Sequence, residues 1–181
     1  MVEIPEENYS PLWPGDARTP VPRTASERVI LTGFLDYFRA TFEQKCAGLA
    51  NHQLSEASVP PSTMTLHGLV RHLGGVERWW FQIQFVGADV PMLYYSDDDP
   101  GQDFDSLDGD VDEAFAVWRH ECERSRQIVA AAGSLDDTGT TRRDGEPFSL
   151  RWLLVDLIGE YARHCGHVDL LRERLDGGTG A

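Results

Sequence analysis

The chain is short of three things, and each shortage excludes a class of protein. Among 16 basic residues only Lys45 is a lysine, and 30 acidic residues leave a formal charge of −14 over 181 residues. A surface so poor in positive charge repels nucleic-acid phosphate and anionic lipid, which recruit proteins through clustered cations. Cysteine is scarce too: Cys46, Cys122 and Cys165 form an odd, scattered set without a CxxC pair. That excludes a disulfide framework and a thiolate-built structural zinc site, and it suits reduced thiols in a cytoplasmic protein. No apolar run approaches the roughly 18 residues of a membrane span. The opening MVEIPEENYS is acidic and lacks the apolar core of a secretory leader.

What is present is helical periodicity. Pro5, Pro11, Pro14, Pro20 and Pro22 forbid a helix at the front. Residues 1–23 therefore read as an extended arm, laid on the body through Tyr9, Leu12 and Trp13. Residues 24–177 read as one all-α domain of four helices, and 178–181 as a flexible tail. The first helix opens at Thr24 with Glu27 in a capping box, and its apolar stripe is Ile30, Phe34, Tyr37, Phe38, Thr41, Phe42, Cys46 and Leu49. The second spans Thr65 to Val86, with the stripe Leu66, Leu69, Leu73, Val76, Trp80 and Ile83, and Gly87 ends it. His67 points away from that stripe.

A linker rich in aspartate, Ala88 to Gly109, follows; Asp103 and Asp105 are succeeded by Leu107, so the frame of an EF-hand loop fails and a solvated acidic loop is expected. The third helix opens at Asp110 and carries Val111, Phe115, Trp118, Cys122 and Val129. Thr140 to Arg142 is expected to pair briefly with Pro147 to Ser149. The last helix runs through Trp152 to Arg174, with Leu150, Leu153, Leu154, Leu157, Tyr161, Val168 and Leu171 on its buried face.

That last helix also carries chemistry. His164 falls within its stripe, with Glu160 one turn before and His167 one turn after, so three ligand-type side chains share one edge. A buried imidazole needs a partner, and His72 borders the inward face of the second helix. At 1.5 Å per residue His72 lies roughly 11 Å from its helix start, and His164 and His167 lie roughly 12–16 Å from the end of theirs. These levels coincide if the two helices are antiparallel. The long linker is able to span a helix and permits that wiring, up-down-down-up. Two or three imidazoles with a carboxylate and an open position suit a catalytic metal. A lone histidine at a stripe edge is more often a satisfied boundary residue; the four together argue for ligation.

At these residues the chain resembles the DinB-like superfamily of metal-binding four-helix proteins, and within it the DUF664 branch. The matching segments are LHGLVRHLGGVERWWF (Leu66 to Phe81), the loop ending in DVP (Asp89 to Pro91), the Trp118 helix, and SLRWLLVDLIGEYARHCGHVDLLRERLDG (Ser149 to Gly177). The resemblance implies an up-down-down-up bundle holding a divalent metal through one histidine of the second helix and two ligands of the fourth. It also implies a thiol-dependent transferase or isomerase, related to mycothiol-dependent maleylpyruvate isomerase, with a low-molecular-weight thiol such as mycothiol as cosubstrate. His72 takes the second-helix position. The common pair of histidines four apart is replaced here by His164 and His167, three apart, while Glu160 and His164 match the isomerase-like spacing.

The expected ligands are therefore His72, His164 and His167, with Glu160 as an accepting partner or alternative ligand. The expected ion is Zn²⁺, with Ni²⁺ or Fe²⁺ as substitutes. Tyr161 is a candidate proton donor, although a core tyrosine is the plainer reading. Arg71, Arg78 and Arg163 flank the histidines and are candidates for steering an anionic substrate, against the reading of solvated surface arginines. The competing function is a non-enzymatic metal-binding homodimer of the stress-response kind, with Trp79 or Trp80 supplying the seam.

Overall fold

A computed structural model describes residues 16, 18–105, 107, 110–142 and 144–179. Most of them are helical: α1 (Glu27–Cys46), α2 (Asn51–Leu54), α3 (Leu66–Glu77), a π-helical continuation (Arg78–Val86), α4 (Gln102–Asp105), α5 (Val111–Ala131) and α6 (Leu150–Asp176). A single hairpin interrupts them, β1 (Thr138–Thr140) antiparallel to β2 (Pro147–Ser149), with Thr140 opposite Pro147. The all-α reading therefore stands. The short helices α2 and α4 lie in segments expected to be irregular, and β1 begins two residues earlier than expected.

The caps explain the boundaries. Ser149 Oγ accepts from Trp152 N and starts α6, and Gly177, at φ +76°, ends it. Asp110 caps α5 as expected, and Thr65 caps α3 through Gly68 N. For α1 the cap is Ser26, which accepts from Val29 N, rather than Thr24. Gly87 adopts φ +76° after the π-helix, a left-handed conformation that costs glycine nothing.

The core lies between α1, α3, α5 and α6. Every apolar position assigned to the α6 stripe is buried, and so is each named residue of α5. The α1 face is rotated from expectation: Leu35, Arg39, Phe42 and Cys46 are buried, whereas Phe34 is 42 % exposed. Past Glu77 the wider π-turn shifts the phase of the side chains. Phe81, Ile83 and Gln84 are buried there, and Trp80 moves to a half-buried ring cluster with Phe148 and Trp152. His67 is buried, with Nδ1 3.1 Å from Ser55 Oγ.

Long-range pairs set the helix register. Arg151 at the head of α6 pairs with Glu27 at the head of α1, and Lys45 at the tail of α1 pairs with Asp169. Gly74 abuts Trp118, and Glu77 reaches Cys122 Sγ at 3.6 Å. Glu77 also meets Tyr161, and Trp80 meets Trp152. The described part of the arm follows α1: Val21 rests on Gly33, and the Arg18 guanidinium donates to Thr41 and lies over the Tyr37 ring. Tyr9, Leu12 and Trp13 lie outside the described residues.

Candidate metal centre

Glu160 and His164 are four residues apart on α6, so their side chains lie side by side. His164 Nε2 stands 3.0 Å from Glu160 Oε1. From α3, His72 Nε2 stands 3.1 Å from the same oxygen. The two imidazole rings are 4.9 Å apart between centroids. One donor atom from each of these three side chains lies within 4.8 Å of the others, and among the described residues no further group does this.

The remaining ring nitrogens are engaged as well. His72 Nδ1 is 2.8 Å from Asp103 Oδ2, so Asp103 accepts its proton and turns Nε2 toward Glu160. Asp103 belongs to α4, which sits against α3 because Gly68 has no side chain. A Cβ there would meet the Phe104 ring at 2.8 Å. His164 Nδ1 faces His167 Nδ1 at 3.2 Å. His167 thus stands behind His164, on the nitrogen turned away from Glu160.

This arrangement requires positive charge between its donors. In the metal-free chain a proton supplies it. Burial disfavours the charged His72 ring, but its hydrogen bonds to Asp103 and Glu160 outweigh that and raise its pKa to about 9. Glu160 is held far below the usual carboxylate range by its hydrogen bond to His164 and then that to His72, against burial. His167 moves the other way, lowered by burial and by the neighbouring charges of His164 and Arg163. A divalent ion held here would take the place of the His72 proton. Two donors bonded at about 2.0–2.1 Å lie roughly 2.9–3.4 Å apart between right-angle and tetrahedral geometry, and the two separations at Glu160 Oε1 fall in that range. The residues therefore fit a metal. His72 and Glu160 are each about a quarter exposed and His164 is almost closed over, so the group is reachable from one side.

A cavity of about 480 Å³ opens beside His72 and Asp103, walled by the 92–100 loop and by Trp79. Larger cavities lie between α1 and α5 and beneath the hairpin, and neither is lined by His72, Glu160 or His164.

The other expected site residues are elsewhere. Tyr161 is completely buried, donates to Glu77 Oε1 at 2.7 Å and accepts from Trp118 Nε1 at 2.9 Å. Burial, joined by the charges of Cys122 and Glu77, pushes its pKa well above the ordinary tyrosine value. Its hydroxyl is committed to the core. Arg71 is buried with its guanidinium 4.4 Å from the Tyr94 ring centre. Arg78 donates to Glu121 at 2.6 Å and to the Pro91 carbonyl. Arg163 is exposed on α6. Asp103 is the participant that sequence reasoning passed over, because nothing distinguishes it among the aspartates of its linker. Asp156 lies one turn before Glu160; burial and then the Glu160 charge raise its carboxyl pKa.

No protein thiol is placed to act as the nucleophile. Cys46, Cys122 and Cys165 are all buried, and burial raises each thiol, Cys165 to about 12. No helix of the described chain is long and apolar enough to cross a membrane.

A family model described as mycothiol-S-transferase (MST) matches residues 30–177 of the chain. No curated protein matches it.

Proposed function

The chain belongs to the mycothiol-S-transferase family, and from that premise we propose that it joins the sulfur of a low-molecular-weight thiol to an electrophile at a divalent metal held by His72, Glu160 and His164. The observation that carries this reading is the convergence of His72 Nε2, His164 Nε2 and Glu160 Oε1 from two helices. Asp103 orients His72, and His167 orients His164, as partners on the far ring nitrogen commonly do for histidine ligands. The sequence expectation ranked His167 above Glu160 as a ligand; the geometry favours the reverse.

When bound, the ion, with Zn²⁺ preferred for an imidazole-rich set, supplies Lewis acidity that favours the thiolate form of a thiol near pH 7. Glu160 stays ionised and holds one negative charge against the two imidazoles. Half-buried His72 and almost closed His164 keep water off two sides, and the cavity beside His72 leaves one approach for the electrophile. There the thiolate sulfur forms a bond to carbon while a leaving group departs or a conjugated double bond takes up the electron pair and a proton. The helix pairings support the wiring that this site needs: α1 and α6 parallel, α3 and α5 opposed to them, an up-down-down-up four-helix bundle.

A competing reading, a metal-binding homodimer without catalysis, draws on the exposure of Trp152 and Val155 on α6. Both are tested together. Tag-free protein loaded with Zn²⁺ is given a small thiol and a haloalkane electrophile, and the thioether is followed by mass spectrometry. Metal-dependent product that disappears in His164→Ala supports the transferase. A rate equal to the protein-free control rejects it, and a dimer by light scattering then leaves the competing reading standing.

A further inference from the structure

The cavity beside His72 has a chemical bias of its own. Its aromatic lining comes from Trp79 on the π-helical segment and from Tyr94 and Tyr95 on the 92–100 loop, and its ionisable groups besides His72 are Asp97 and Asp103. Among the described residues no arginine or lysine lines it. The nearest candidates for an anion site are otherwise occupied: Arg71 is sequestered behind Tyr94, and Arg78 is held by buried Glu121. Tyr94 holds a left-handed backbone at φ +50°, a conformation that a bulky residue keeps only where its surroundings impose it and that clusters at ligand-binding positions.

Charge arithmetic points the same way. Asp97, Asp103 and Glu160 carry three negative charges. A divalent ion at the metal centre offsets two of them and Arg71, behind Tyr94, the third, so a bound thiolate leaves the site with one net negative charge. Aromatic faces grouped with a carboxylate attract organic cations, the arrangement that recognises quaternary ammonium ligands, and they do so even where, as at Tyr95 and Asp97, they are exposed. A carboxylate-bearing substrate would meet Asp97 and Asp103 and would compete with the thiolate for the ion.

We infer that this cavity selects a substrate bearing a positively charged alkylammonium group, lodged among Trp79, Tyr94, Tyr95 and Asp97 beside the metal centre. The inference deepens the transferase reading and rests on it for the role of the cation-bearing molecule. The binding itself is independent of catalysis. It also replaces the expectation that Arg71, Arg78 and Arg163 steer an anion.

The test measures binding to the Zn²⁺-loaded full chain by calorimetry, using three probes of similar size: phenyltrimethylammonium, its uncharged counterpart tert-butylbenzene, and benzoate. The expected order is phenyltrimethylammonium tightest by about tenfold over the neutral probe, with benzoate weakest. Asp97→Asn and Trp79→Leu, each with native helical circular dichroism, should lower phenyltrimethylammonium affinity by about fivefold or more while leaving the neutral probe less affected. Benzoate binding as tightly as the cation, no measurable binding of the cation, or cation binding indifferent to both substitutions overturns the inference. Thioether formation with an uncharged electrophile is assayed on the same sample, so its absence counts against the transferase reading and leaves the cation result intact.

Discussion

Two polar clusters hang on the same pair of helices, and they are opposites. In the first, Glu77 of α3 is fully buried and receives both arms of Arg39 at 2.7 and 2.8 Å, the hydroxyl of Tyr161 and the thiol of Cys122. In the second, His72 lies five residues earlier on α3 and Glu160 immediately precedes Tyr161 on α6. There a carboxylate faces two imidazoles, and the group is partly open to a cavity. The first cluster neutralises its charge permanently with a guanidinium that cannot give up its proton. The second neutralises it with a proton on His72, at the place where the proposed ion would sit. What separates the two clusters is not polarity or position on the helix but exchangeability of the positive charge.

The largest expected effect tests the closed half of that comparison. Arg39→Met should leave Glu77 buried without its partner and cost about 3–5 kcal/mol, read from denaturant unfolding of metal-free protein. A loss under about 1 kcal/mol would mean that the core pair is not the closed unit described. Tyr161→Phe comes next. It strips one hydrogen bond each from Trp118 and Glu77 and should cost about 1–3 kcal/mol, with the transfer rate at saturating metal unchanged. A fall of about a hundredfold in that rate at native metal content would restore Tyr161 as a proton donor.

The third effect is a pH slope, and saturating metal should abolish it. Without metal, His72 has a folded pKa of about 9 against an ordinary 6.5. A raised folded pKa contributes stability that is complete below 6.5 and is lost as pH climbs toward 9. With metal the ion competes with that same proton, so affinity and the stabilisation it confers should rise over this window. Melting temperatures of chelated and loaded samples across the range check both. Parallel curves would mean that His72 is not where proton and ion exchange.

The sequence makes some of this legible and hides the rest for definite reasons. The α6 stripe and the α5 core residues are readable because one regular 3.6-residue period governs them and caps stand at their ends. The α1 face is misread because burial of Arg39 depends on Glu77, 38 residues away, so the pattern favours Phe34 on the wrong side. Beyond Glu77 the period itself changes, and no local signal announces a π-helix. At the centre, the closeness of His72 and His164 is readable from level and spacing. Glu160 and His167 flank His164 at four and three residues, and spacing alone does not rank them. Side-chain direction tells them apart, turning Nε2 of His164 to one and Nδ1 to the other. Asp103 reaches His72 only because Gly68 admits α4, a tertiary contact invisible in composition.

The central claim is that His72, Glu160 and His164 hold the ion while His167 supports from behind. Zinc titration of tag-free Glu160→Gln and His167→Ala, side by side with the unaltered chain, tests it most directly. The account predicts that Glu160→Gln abolishes tight binding while His167→Ala weakens it by about 10- to 100-fold. His167→Ala as the more damaging substitution, or no zinc bound by the unaltered chain, would contradict it.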